Sequence, residues 1–212
     1  MDIQGPASTD EGTVDEEEAA EFMTILLGDV RTAEKELRQD SSPYRRRTYV
    51  RTTFASVDGF IFTLKRIALT NSHLFTADEI AKLREVRPAQ SSSGSSTGRP
   101  WFLPTADNLK FAFESFMRFH GSTARIEPDD DWVAFTKAVQ IRHRVTHPKS
   151  PEDLDLSDAD IDIVRGAAHW LAANVMAHVM EAMGVNAFVL LLGVLILWGL
   201  AKDPADPTPK DG

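Results

Sequence analysis

The stretch VRTTFASVDGFIFTLKRIAL, residues 50–69, decides the fold. Within it Val50, Phe54, Val57, Ile61, Leu64 and Ala68 recur at alternating steps of four and three. That spacing lines one side of an α-helix and neither side of a strand. Phe60 and Ile67 widen the stripe. Gly59, inside it, weakens helix propensity but lets a second helix approach closely.

A stripe of this kind needs other helices to cover it, and the chain supplies them. Upstream, residues 15–39 carry Phe22, Leu26, Val30, Ala33 and Leu37 on one helical face, and Pro43 then breaks the chain. Downstream, Thr76 and Glu79 have capping-box spacing and open a short helix with Ile80, Leu83 and Val86 directed inward. Residues 107–120 place Leu109, Phe113, Phe116 and Met117 at helical spacing and stop at Gly121. Asp129, Asp130 and Asp131 put negative charge at the start of a further helix, where the helix dipole favours it. That helix carries Trp132, Phe135, Ala138 and Val139. Ser157 and Asp160 cap a last one, with Ile161, Val164, Ala168, Leu171, Val175 and Val179 as its stripe. No segment alternates with period two. The expected fold is therefore all-α, a bundle of about five to six helices over residues 15–181. Residues 1–14 are polar and acidic and are expected to be a disordered tail. Residues 88–100, rich in Ser and Gly, are expected to be a flexible surface loop inside the domain.

The chain of 212 residues has 42% apolar residues, enough for one core, and a formal net charge of −9. The acids crowd residues 1–40 and 150–181, and the bases crowd residues 41–73. An acidic total argues against loose coating of nucleic acid. It leaves room for a local basic groove, for which Arg45, Arg46, Arg47 and Arg51 are candidates. They also suit a solvated helix start. There is no cysteine, which excludes disulfides, thiolate catalysis and thiolate zinc sites. The acidic first eighteen residues lack the apolar stretch of a secretory signal.

Residues 182–201 are twenty in a row without a charge, with Asn186 the one strongly polar side chain. As a helix they would run about 30 Å, the hydrocarbon thickness of a bilayer. An amphipathic core helix would keep a polar face, and here there is none. Trp198 suits the membrane interface. A single C-terminal transmembrane helix is expected, with residues 202–212 as a short polar tail. The charge flanking the run is nearly silent on orientation. The lack of an export signal and of cysteine favours a cytoplasmic N-terminal domain.

The residues with chemistry lie in Arg142-His143-Arg144-Val145-Thr146-His147, closed by Pro148. A residue before proline is pushed out of α geometry, so His147 stands where its helix must stop. Arg142 is always charged and can grip a phosphodiester through two parallel hydrogen bonds. His147 exchanges a proton near neutral pH. In RNA the 2′-hydroxyl can attack its own phosphorus, so a base and a cation suffice for cleavage without a metal. His143 can orient His147 or touch phosphate, and Arg144 adds charge. Two other readings stay open: the same side chains suit the carbonyl end of their helix, and His143 and His147 have the i, i+4 spacing of zinc helices, although no glutamate follows His143. His120, His169 and His178 are expected at the boundary of the core.

Taken with its helices, this stretch resembles the HEPN family, whose ribonucleases carry an Arg-x(4–6)-His motif between the last two helices of a short bundle. The resemblance covers roughly residues 15–181 and rests on the bundle pattern with Arg142, His143 and His147. The Ser-rich insertion and the apolar tail depart from it. What the resemblance implies is metal-independent RNA cleavage, leaving 2′,3′-cyclic phosphate ends, in a cleft shared by two protomers. It implies Arg142 and His147 as catalytic residues, His143 and Arg144 as supports, no metal and no cofactor. The expected partners are RNA, a second copy of the chain, the membrane, and an antitoxin or a nucleotidyltransferase. A toxin or defence effector is the leading reading. A noncatalytic module binding RNA or protein at the membrane is the alternative.

Overall fold

The structure, a computed structural model, describes residues 16–86 and 101–184. Those residues form α1 (Glu16–Gln39), α2 (Pro43–Leu69), α3 (Ala77–Leu83), α4 (Thr105–Phe119), α5 (Asp130–Thr146) and α6 (Asp158–Trp170). α6 passes through a π-helical segment, Leu171–Met176, into α7 (Ala177–Ala182). Among the described residues no strand is present, and the all-α expectation holds.

α2 is the axis of the bundle. Its six stripe residues, Val50 to Ala68, are all buried, and it touches α1, α3, α4, α5 and α6. Pro43 opens it at a position where a missing N–H costs nothing. α1 folds back antiparallel to it. Arg45 pairs with Glu36 near the turn, and Arg66 pairs with Glu18 at the far end. α1 lies close over Gly59, where a Cβ would stand 2.3 Å from Leu26 Cδ1 and 3.2 Å from the Phe22 ring. Val30, Ala33 and Leu37 enter the core as expected, but Phe22 is 39% exposed and Leu26 only half-buried. These two lie over α2 at the start of α1, and Leu27 takes the inward position instead.

One seam of the bundle is charged. Glu34 of α1 is 4% exposed, and its Oε1 accepts from Nε of Arg38 (3.0 Å) and Nε of Arg165 in α6 (3.2 Å). Tyr49 lies beside it, and burial together with the Glu34 charge pushes its hydroxyl far above the usual phenol range.

The caps fall where the sequence places them. Thr76 and Glu79 form a capping box, as do Ser157 and Asp160. Asp129 accepts from the Trp132 N–H at 2.8 Å, and Gly121 ends α4 with φ +72°. Leu83 is buried, but Val86 is 42% exposed, because the chain leaves α3 at Glu85 with φ +55°. Glu85 is held there by Lys65, itself 3% exposed, whose ammonium donates to the carboxylate at 2.9 Å. Burial lowers the Lys65 pKa, against the pull of Glu85.

The last helical run begins beside α2. Arg46 at the start of α2 pairs with Asp158 at the start of α6, so the two helices begin together. α7 reaches the middle of α4, where His178 meets Phe113 edge-on. The run ends at Ala182, with Gly184 at φ +69°. No helix of the described residues is long and apolar enough to cross a membrane. The expected tail at 1–14 and loop at 88–100 lie outside the described residues. So do residues 185–201 of the expected span and the polar tail at 202–212.

Gly59→Val is expected to destabilise the chain by about 1–3 kcal/mol, the cost of overpacking a closed contact. Urea unfolding followed by helicity checks this, and an unchanged midpoint would contradict the close α1–α2 approach.

Candidate functional site

α5 is held by Phe135, Ala138, Ile141 and Val145, all buried at three- and four-residue steps. That register leaves Arg142, His143 and Thr146 off the core face. Thr146 Oγ1 donates back to the Arg142 carbonyl at 2.7 Å. The His147 N–H makes the last helical bond, to the His143 carbonyl at 2.9 Å. His147 then leaves the helix with φ −127°, ahead of Pro148.

The sequence-predicted residues do not all face one another. His143 and His147 are both exposed, and their ring centres stand 5.1 Å apart. Arg142 turns instead to α2, where its Nη2 donates to Asp58 Oδ2 at 3.0 Å. No hydrogen bond, ion pair or ring contact joins Arg142 to His147 among the described residues. Arg144 pairs with Asp160 of the α6 capping box at 3.0 Å. Burial pushes the Asp160 carboxyl up. The Ser157 N–H and hydroxyl, with Arg144, outweigh that and hold it below its usual range.

One neighbour, Asp58, had no signature in the sequence, and another, Arg51, was read there only as part of the basic run. Asp58 meets Arg142 across 84 residues of chain, and nothing in its local pattern marks it. Its carboxyl is raised by burial, against the opposing charge of Arg142. Arg51 donates through Nη2 to the Val145 carbonyl at 3.2 Å and so caps the end of α5. The capping role open to Arg142 and His147 is therefore taken in part by a guanidinium from another helix.

Of the two readings open to the basic run at residues 45–51, a local groove or a solvated helix start, the contacts favour neither as a free set of charges. Arg46 donates to the Leu156 carbonyl at 2.7 Å and pairs with Asp158. Arg47 donates to the Leu154 carbonyl at 3.2 Å. Arg45 is paired with Glu36. Arg46 and Arg47 staple the α5–α6 connection, including the turn Pro151–Leu154, to the start of α2. Helix-start arginines spaced by one residue give no sign of carbonyls more than 90 residues away. Arg47 and Arg51, bonded to carbonyls here, bring positive charge to the end of the bundle where α5 stops.

The other histidines sit at the edge of the core, as their spacing suggests. His120 packs on Phe116 and Phe119. His178 meets Phe113. His169 is half-buried with Nε2 in the interior, and burial, then the Arg165 charge, lowers its pKa. Among the described residues no three His, Asp or Glu side chains gather as metal ligands would.

Chemically, the end of α5 offers two water-accessible imidazoles side by side, with one guanidinium a turn earlier held by a carboxylate. Neighbouring imidazoles can act as base and acid in one proton exchange. An oxyanion reaching Arg142 must compete with Asp58. Diethyl pyrocarbonate is expected to modify His143 and His147 well before His169, read by peptide mass spectrometry. Equal rates at all three would contradict the exposure of the pair.

Comparison with protein-family models, with curated proteins and with solved structures finds no match to this chain.

Proposed function

We propose that the chain is a membrane-anchored, metal-independent endoribonuclease of the HEPN type, acting as a toxin or defence effector. The observation that carries this reading is the exposed His143–His147 pair at the stop of α5, directly after Arg142 and a turn beyond it. In the proposed reaction His147 takes the proton of the RNA 2′-hydroxyl. The 2′ oxygen attacks the adjacent phosphorus, and the bond from phosphorus to the 5′ oxygen breaks. A protonated imidazole, His143 or that of a second copy, returns a proton to the leaving oxygen. The products are a 2′,3′-cyclic phosphate and a 5′-hydroxyl. Arg142 leaves Asp58 to grip the phosphoryl oxygens as charge builds on them. Arg144 supports from the α6 side, where Asp160 holds it.

A two-fold dimer would double the groups lining the cleft. Residues 182–201 serve as the anchor in this reading, with residues 1–181 in the cytoplasm. An antitoxin or a nucleotidyltransferase is the proposed controlling partner. A second reading is favoured by one specific contact, the ion pair of Arg142 with Asp58. If that pair stays closed, the chain is a noncatalytic module that binds RNA or protein at the membrane.

The full chain in phosphatidylcholine nanodiscs, mixed with single-stranded RNA and EDTA, separates the two. Cleavage to cyclic-phosphate ends is expected. Arg142→Ala and His147→Ala should each lower it by about 100-fold or more, the scale of a lost general base or charge stabiliser. Cleavage unchanged by both substitutions would remove the assignment. Binding without turnover would favour the module.

A further inference from the structure

We infer that the chain carries a nucleobase subsite beside Arg142: a cavity where α1 meets α2 takes a guanine base of single-stranded RNA, close to the phosphate gripped at the end of α5. The inference rests on RNA being the ligand of the α5 site, but a separate set of side chains builds it.

The open side of α2 links the two places. From Tyr49 to Leu69 the exposed residues are Arg51, Ala55, Asp58 and Phe62, at steps of four, three and four. That spacing is one line along a helix, and Arg66, partly exposed, continues it. On this line Asp58 holds Arg142 of α5 at 3.0 Å. One turn further, Phe62 meets Phe22 of α1 edge-on, with ring centres 6.4 Å apart. The guanidinium of Arg66 sits over the Phe62 ring at 5.7 Å. Asp58 and Phe62 are four residues apart, about 6 Å of helix. A stacked strand rises about 3.4 Å per nucleotide. A phosphate at Arg142 therefore has the Phe62 ring within one or two nucleotides of it.

Glu18, Ala19, Phe22, Phe62, Thr63 and Arg66 line a cavity of about 330 Å³, the size of a small-ligand site. Phe62 is 52% exposed despite its two ring contacts, so much of its surface still meets water. Glu18 and Arg66 stand 3.5 Å apart, a long contact between side chains that both reach solvent. Such a pair holds its partners weakly and leaves both open to a ligand.

Aromatic rings, a guanidinium plane and a polar group for the base edge are what hold an unstacked base of single-stranded RNA. The charges say which base. An ionised carboxylate only accepts hydrogen bonds, and it can accept two side by side. The pairing edge of guanine offers two adjacent donors, N1–H and the N2 amino group, to Glu18. Adenine, cytosine and uracil each offer one donor group there. Arg66, beside Glu18, donates to the O6 acceptor that guanine carries on the same edge. An apolar helix laid over the two rings would instead bury Glu18 and Arg66 without new partners, which costs free energy. A flat base with two donors and an acceptor satisfies the rings and both charges together.

The full chain in phosphatidylcholine nanodiscs is titrated, by fluorescence anisotropy, against two fluorescein-labelled hexamers of 2′-O-methyl RNA. These lack the attacking hydroxyl and are not cut. One hexamer is all uridine, and the other carries a single guanosine. The guanosine hexamer is expected to bind about ten-fold tighter, the scale of a two-bond base contact. Phe62→Ala should weaken it by about ten-fold or more, the scale of a lost base–aromatic stack. Glu18→Gln should bring it to the level of the uridine hexamer. Both positions are exposed, and retained helicity confirms that each variant folds. Equal binding of the two hexamers, with RNA cleaved as proposed above, would overturn the subsite and leave the nuclease standing. A guanosine preference that survives both substitutions would also overturn it, by placing the base elsewhere. So would competition by 5′-GMP as strong as by unlabelled guanosine hexamer, since the ligand is then a free nucleotide. Binding of neither hexamer would remove RNA as the ligand, and the subsite with it.

Discussion

The stripe of α2 is the constraint on which everything else depends. Six side chains from Val50 to Ala68 lie on one line of one helix, and five other helices are arranged to keep water from it. Burying apolar area is the dominant favourable term in a domain of this size, and here much of it converges on a single rod. Both ends of that rod have separate uses. Its start carries the arginines that hold the α5–α6 connection. Its second half meets the start of α1 and the chain after α3.

The helices were legible because each is written locally. Stripes at steps of three and four, Pro43 at a start, Gly121 at a stop and two capping boxes are signals within a few residues of where they act. Phe22, Leu26 and Val86 were misplaced for a reason the pattern does not contain. Periodicity names a face of a helix but not how far along it the neighbours extend. α1 begins where only α2 lies beneath it, and α3 turns out at Glu85 before Val86 can reach the core.

The site was legible only in part. The stop of α5 and the exposure of its last turn follow from Pro148 and the register of Phe135, Ala138, Ile141 and Val145. The partners of those residues do not. Asp58 and Arg51 are surface positions of α2 whose spacing carries no message, and their roles arise from the crossing of α2 and α5. The basic run left two readings open for a related reason. Composition shows that four guanidiniums are present, but not that two donate to carbonyls of the α5–α6 connection and a third to the last turn of α5.

The Glu34 seam bears on how precisely α1 can be placed. An apolar helix face tolerates slippage, because leucine against valine is nearly as good one turn along. A carboxylate 4% exposed between two guanidiniums is not so forgiving. Sliding α1 by one turn, about 5.4 Å, would carry Glu34 away from Arg165 while Arg38, on the same helix, moves with it, so the seam would lose its contact between α1 and α6. The seam thus works as a detent: it adds little holding force of its own, yet it makes every neighbouring register of the first helix a markedly worse one.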